Sequence, residues 1–199
     1  METLDKKLQK ALQEIFSGDA CLLDPAECLA YAYDNSRRHA MPQAVVLPTT
    51  KDQVQKLVHL CREFKTPIVA RGRGTNTTGA SVPIEGGIVV SFERMNRIIE
   101  IRAGDRVAIV EPGVLNGDLQ KALKPLGLFW PPDPTSAAYS SIGGNLACNA
   151  GGPRAVKYGA TRDNVLAVTA ITGTGDIVQC GAAVTKSSSG YDLSRLLIG

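Results

Sequence analysis

The chain has 199 residues, of which 44% are hydrophobic and 21% charged, and a net charge of +3. This length and balance suit one large domain or two small lobes with a real core and exclude a disordered chain. The mild charge, with no Lys/Arg run, argues against nucleic acid as a partner.

Residues 3–16 place Leu4, Leu8, Ala11, Leu12 and Ile15 at helical spacing, and Gly18 marks the stop. Residues 24–33 suggest a second short helix, and Asp34-Asn35-Ser36-Arg37-Arg38 a polar loop in which no chemistry is evident. Ala44 to Pro48 predicts a strand. Thr50-Lys51-Asp52-Gln53 then has the form of a capping box, opening a helix with Val54, Leu57, Val58 and Cys61 on one face. His59 lies off that face and is expected in solvent. Pro67 to Ala70 predicts the next strand, so strand, helix and strand make a right-handed βαβ unit.

That unit delivers the stretch Arg71, Gly72, Arg73, Gly74, Thr75, Asn76, Thr77, Thr78, Gly79 at a strand C-terminus, where ligands of parallel sheets bind. Glycines permit positive φ, and bare N–H groups with two arginines suit a phosphate or pyrophosphate. An ordinary polar turn is the alternative. Gly79 comes too late for the dinucleotide fingerprint, and Pro83, Gly86 and Gly87 forbid a helix behind it. Ala80 stands where a P-loop needs lysine.

Residues 87–92, 98–101 and 107–110 predict adjacent antiparallel strands. Glu111-Pro112-Gly113 closes the last, and Leu115, Leu119 and Leu123 mark a helix ending by Pro125 and Gly127. The expected fold is α+β and two-lobed: a small parallel βαβ lobe over about 1–80 and a mainly antiparallel lobe with helices over about 81–199. The glycine loop would lie at their junction, a favoured place for ligands. Pro131-Pro132-Asp133-Pro134-Thr135-Ser136 cannot be regular structure and reads as a rigid positioning loop. Ser141 to Gly152, rich in glycine and asparagine, makes a poor core and a good cradle for a heterocycle or phosphate. Val165 to Ile171 and Ile177-Val178 predict a hairpin across Gly173-Thr174-Gly175-Asp176.

Five scattered cysteines form no C-x-x-C pair and no zinc spacing, so most are expected to be small core residues in a reducing compartment. Residues 1–16 lack a signal peptide's apolar centre, and no apolar run is long enough to span a bilayer. A cytoplasmic protein without a transmembrane segment or metal site is expected.

Arg71–Thr75, Pro112-Gly113, Pro131–Ser136, Ser141–Gly152, Lys157-Tyr158-Gly159 and Lys186…Ser189-Gly190-Tyr191-Asp192-Leu193 occur in an order that resembles the FAD-binding domain of the vanillyl-alcohol oxidase / p-cresol methylhydroxylase superfamily. Within it, the sequence is similar to the FAD-linked D-lactate dehydrogenase and glycolate oxidase D-subunit group. The resemblance implies that Arg71, Gly72, Arg73, Gly74, Thr75, Asn76, Thr77 and Gly79 hold the FAD pyrophosphate. It assigns Pro132, Asp133, Ser136, Ser141, Gly143, Gly144, Asn149, Gly151 and Gly152 to the ribityl chain and flavin ring, with Pro112, Gly113 and Val178 close by.

The family chemistry is hydride transfer from the α-carbon of a 2-hydroxy acid to the flavin, which an unnamed electron acceptor then reoxidises. Members that attach FAD covalently carry a histidine in the first glycine loop. Asn76 and Thr77 stand there in this chain, so dissociable FAD is implied. Cys148 in the cradle is expected to be inert packing. In the family a further strand and a C-terminal substrate domain follow the run ending at Gly199, so this chain reads as truncated, with no catalytic residue of its own. Two functions remain open: the FAD domain of a D-2-hydroxy-acid dehydrogenase or oxidase, and a stand-alone flavin-binding or subunit-docking module.

Overall fold

Asp5 opens the first helix, α1 (Lys6–Ile15), by accepting hydrogen bonds from the backbone of Lys7 and Leu8. The computed structural model describes residues 4–184, 188 and 190–199. The chain divides into two units, Met1–Met95 with Ile171–Asp176, and Asn96–Ala170 with Ile177–Gly199.

In the first unit, α1 is followed by β1 (Cys21–Leu22), α2 (Pro25–Cys28), β2 (Ala44–Val46), α3 (Lys51–Glu63), β3 (Ile68–Arg71) and β4 (Ile88–Ser91). The four strands form one sheet in the order β1-β2-β4-β3, with β2, β4 and β3 parallel and β1 antiparallel. Alternation divides the sheet's side chains between two faces. Ala44, Val46, Ile88 and Val90 pack with Leu8, Leu12 and Phe16 and with Leu57 and Cys61 of α3. Val45 and Val89 pack with Cys28 on the other face. Each fully buried Leu, Ile or Val contributes about 1.5–3 kcal/mol. Thr50 caps α3 as expected, but Gln53 reaches back to the N–H of Thr49 rather than that of Thr50.

β2, α3 and β3 form the expected parallel crossover within one sheet, and β4 lies between the two strands, parallel to both. Residues 88–91 are therefore not the first strand of an antiparallel meander. All four are buried, as befits a central strand covered on both faces. The first unit accordingly continues past β4 to Met95.

The second unit contains β5 (Ile98–Arg102), β6 (Val107–Val110), α4 (Asn116–Leu123), α5 (Ile142–Ala147), α6 (Ala155–Tyr158), β7 (Ala167–Ile171), β8 (Ile177–Gly181) and α7 (Leu193–Leu197). β5 and β6 pair antiparallel, with a bulge at Ile98/Glu100, and β7 and β8 form the expected hairpin. Val114, Leu119, Leu123 and Ile142 are its buried core, with Ile98, Ile101, Val110 and Trp130 packed against them. Gly127 ends the helical stretch after α4 at φ 68°, as the sequence predicted. The cradle segment contains α5, capped by Ser141, so it is partly regular structure. Ile142 and Asn145 are buried within it.

No helix among the described residues is long and apolar enough to cross a membrane. Lys186 and Ser189 of the last motif lie outside the described residues.

Candidate cofactor-binding site

In the first unit, the chain leaves β3 through Arg71 and turns at Gly74 (φ 64°) and Gly79 (φ 81°). Among the described residues, the backbone N–H groups of Gly74, Thr75, Asn76 and Thr77 find no acceptor in the protein. Successive free amides on a left-turning loop suit an anion.

Both arginines of the loop have partners within the protein. Arg71 is 7% exposed. Its guanidinium donates to the carbonyls of Tyr33 (2.7 Å) and Ala30 (3.3 Å) and lies over the Tyr31 ring. Burial pulls its pKa down, against the pull of Asp34. Arg73 is exposed and pairs with Glu93 at 3.1 Å. Glu93 also accepts from Tyr31 Oη at 2.7 Å, and burial, then that bond, pushes the Tyr31 phenol up to about 12. Arg71 is thus bonded to the Ala30 and Tyr33 carbonyls, and the loop amides of 74–77 stay without a protein acceptor among the described residues.

The polar loop 34–38 is not idle. Asp34 is buried and accepts from Ser81 Oγ, Asn35 Nδ2 donates to the Thr75 carbonyl at 3.4 Å, and the Arg38 side chain lies against Gly79. The sequence signal was the Asp-x-Ser turn, in which Ser36 N–H donates to Asp34 Oδ1 at 2.8 Å.

In the second unit, a short irregular ladder joins two predicted segments. Gly143 N–H donates to the Pro112 carbonyl, Ile142 N–H to Val114, and Asn116 N–H to Ser140. A Cβ on Gly143 would stand 2.7 Å from the Pro112 Cβ, so glycine is what lets Pro112-Gly113 lie against Ser141–Gly144. Gly152 does the same farther on, where a Cβ would run into the Asp133 carbonyl. Asp133 also accepts from Arg154 N–H and pairs with its guanidinium.

These contacts tie together Pro112, Gly143, Asp133 and Gly152. Gly113, Pro132, Ser141 and Gly144 are their chain neighbours, and Ser136 bonds through its carbonyl to Ser140 N–H. Asn149 (φ 43°) accepts from Arg162 N–H at 2.9 Å. Gly151 is half-buried beside Ala155. Val178 is half-buried in β8, and among the described residues no hydrogen bond ties it to the cluster.

Glu111 and Asn116 were missed. The buried Glu111 carboxylate accepts from Arg97 N–H at 2.8 Å and from its guanidinium at 2.7 Å, holding the turn before Pro112. That arginine keeps its carboxyl below the usual glutamate range. Asn116 Nδ2 fixes the Pro132 carbonyl at 3.0 Å.

Neither histidine supplies a base within these groups: His59 covers Gly175, and the backbone of His39 bridges to Tyr33. Cys148, expected to be packed, is exposed at the end of α5. Cys61 is buried, and burial pushes its thiol up to about 12.

The free amides at 74–77 fit the pyrophosphate of FAD. In the second unit Asn116 Oδ1, Ser140 Oγ, Asn145 Nδ2 and Trp130 Nε1 are buried without a partner among the described residues. Comparison with known proteins agrees. Residues 42–181 match the FAD binding domain family. The chain is 44% identical over 172 residues to the glycolate oxidase subunit GlcD of Bacillus subtilis, covering 86% of this chain and 37% of that one. It is 39% identical over 198 residues to a D-lactate dehydrogenase of Anaerostipes hadrus, covering 100% and 41%. It therefore spans about two-fifths of the length of these relatives.

The solved structure of p-cresol methylhydroxylase with substrate bound superposes with a TM-score of 0.78 at 25% identity, over 94% of this chain and 38% of that one. An alkyldihydroxyacetonephosphate synthase at 23% identity shares the fold, with a TM-score of 0.86, over 99% of this chain and 41% of that one. The cofactor is FAD, and the chain belongs to the FAD-binding domain family, with the fold of p-cresol methylhydroxylase.

Proposed function

We propose that residues 1–199 are the cofactor domain of a flavoprotein that oxidises a D-2-hydroxy acid of the D-lactate or glycolate type. Bound FAD supplies the hydride acceptor. The loop Arg71–Gly79 holds its pyrophosphate through the amides of 74–77, and the Pro132–Ser136 and Ser141–Gly152 segments take the ribityl chain and flavin ring. Pro112, Gly113 and Val178 flank them. The observation that carries this reading is the row of free amides above a buried Arg71. The substrate class rests on relatives named for glycolate, D-lactate and D-2-hydroxyglutarate.

FAD is held without a covalent bond, since Asn76 and Thr77 occupy the loop position where a histidine would attach it. Acid precipitation should leave all flavin in the supernatant, and flavin retained in the pellet would contradict this. Gripping the substrate carboxylate and removing the hydroxyl proton fall to a further C-terminal domain, and the electron acceptor is a separate partner. Hydride transfer needs the substrate carbon held at roughly 3–3.5 Å with a base in reach.

The FAD-loaded chain, mixed anaerobically with D-lactate, glycolate or D-2-hydroxyglutarate, should therefore keep its oxidised spectrum, whereas dithionite bleaches it. Reduction by any of these acids faster than that of free FAD would place the catalytic groups within residues 1–199.

A further inference from the structure

Behind the glycine loop runs a chain of hydrogen bonds with a fixed direction. Asp34 is 5% exposed, and its Oδ2 accepts from Ser81 Oγ at 3.2 Å. Ser81 Oγ accepts in turn from Asn76 Nδ2 at 2.8 Å. Asn76 Oδ1 accepts from the N–H and hydroxyl of Thr78, at 3.1 and 2.9 Å. An ionised carboxylate can only accept, so the Ser81 hydroxyl must donate to it and take its own bond from Asn76. This leaves the Asn76 amide one orientation, nitrogen toward Ser81 and oxygen toward Thr78.

A carboxylate behind an anion site would repel the anion. The buried Arg71 guanidinium, bonded to the carbonyl of Tyr33 next to Asp34, offsets it. With both charges internal, the loop is braced by hydrogen bonds while the two charges offset each other.

We propose that Asp34 is a positioning residue for FAD: through Ser81 and Asn76 it fixes the loop conformation that keeps the amides of 74–77 free for the pyrophosphate. This rests on reading Arg71–Gly79 as the pyrophosphate loop. Asp34→Asn preserves the shape and the bond from Ser36 but turns a donor toward Ser81. Ser81→Ala removes the relay and leaves the charge.

The test uses the full chain with both single variants, the double variant and Gly74→Ala. FAD and riboflavin, which lacks the pyrophosphate, are titrated, and exchange of the Thr78 amide is followed without ligand. Each single variant should lose about tenfold or more in FAD affinity and little in riboflavin affinity. The double variant should lose no more than the worse single, because one chain of bonds is broken either way. Thr78 exchange should accelerate in all three. Unchanged FAD affinity or Thr78 protection in Asp34→Asn, equal losses for riboflavin, or additive losses would overturn the inference. An unchanged FAD affinity in Gly74→Ala would instead remove the pyrophosphate reading of the loop itself.

Discussion

Two glycine-rich stretches, Arg71–Gly79 and Ser141–Gly152, use glycine for opposite purposes. In the first, Gly74 and Gly79 have positive φ, and the loop they turn leaves the amides of 74–77 without an acceptor among the described residues. In the second, Gly143 and Gly152 let other backbone come close, at Pro112 and Asp133, and the N–H of Gly143 is used in doing so. One stretch presents donors; the other brings three distant segments together. Glycine content alone marks both as cradles. What a Cβ would meet at each position tells them apart.

The most severe substitution should be in the second stretch. Gly152→Ala drives a Cβ into the Asp133 carbonyl, so backbone rather than a flexible side-chain tip has to shift. We expect a loss of about 3 kcal/mol or more in urea unfolding without flavin. Wild-type stability would show that the segments are not locked together.

Gly74→Ala should be milder in folding and harsher in binding. It imposes positive φ on a side chain, at about 1–2 kcal/mol, and its Cβ meets the tip of the Arg71 guanidinium. Because that guanidinium is buried and bonded, stability falls along with FAD affinity. Titration beside urea unfolding checks this, the affinity loss being expected to exceed the stability loss.

Glu111 tests how the second unit's turn is held. Its folded pKa lies below the ordinary 4.5, chiefly through the Arg97 hydrogen bond. Its contribution is therefore present above the unfolded pKa and disappears as pH falls through the folded one. In urea titrations, wild type should lose its advantage over Glu111→Gln as pH drops below about 4.5. A difference that persists under acid would remove this ion pair from the turn's support.

The smallest effect on folding is expected at Gly151, where an added Cβ would make only an ordinary contact with Ala155. Gly151→Ala should unfold within about 0.5 kcal/mol of wild type. Lower FAD affinity in that variant would place the segment against the cofactor, and unchanged affinity would exclude Gly151 from the site.

The sequence was legible wherever local rules decide. The α1 stripe, the Thr50 cap, the Gly127 stop and the 167–181 hairpin follow from spacing and caps. Strand order was not legible in this way. Pairing of β4 between β2 and β3 is a long-range choice that periodicity does not encode. A hint existed all the same: Ile88-Val89-Val90 is an unbroken apolar run, while β5 carries Glu100 and Arg102 on an exposed edge.

In the site, glycines and prolines were visible because they restrict the backbone. Ser81, Glu111 and Asn116 were not, and the Asp-x-Ser turn marked Asp34 only as a turn residue, because a polar residue looks the same in sequence whether it is solvated or buried. The burial of Arg71 was hidden for the same reason: its guanidinium is bonded to the Tyr33 and Ala30 carbonyls.

Equilibrium titration of the apo chain with FAD and with riboflavin asks most directly whether the free amides of 74–77 receive a pyrophosphate. FAD should bind at least about tenfold more tightly than riboflavin, and the gap should close in Gly74→Ala. Equal affinity for the two flavins would contradict this reading of the loop.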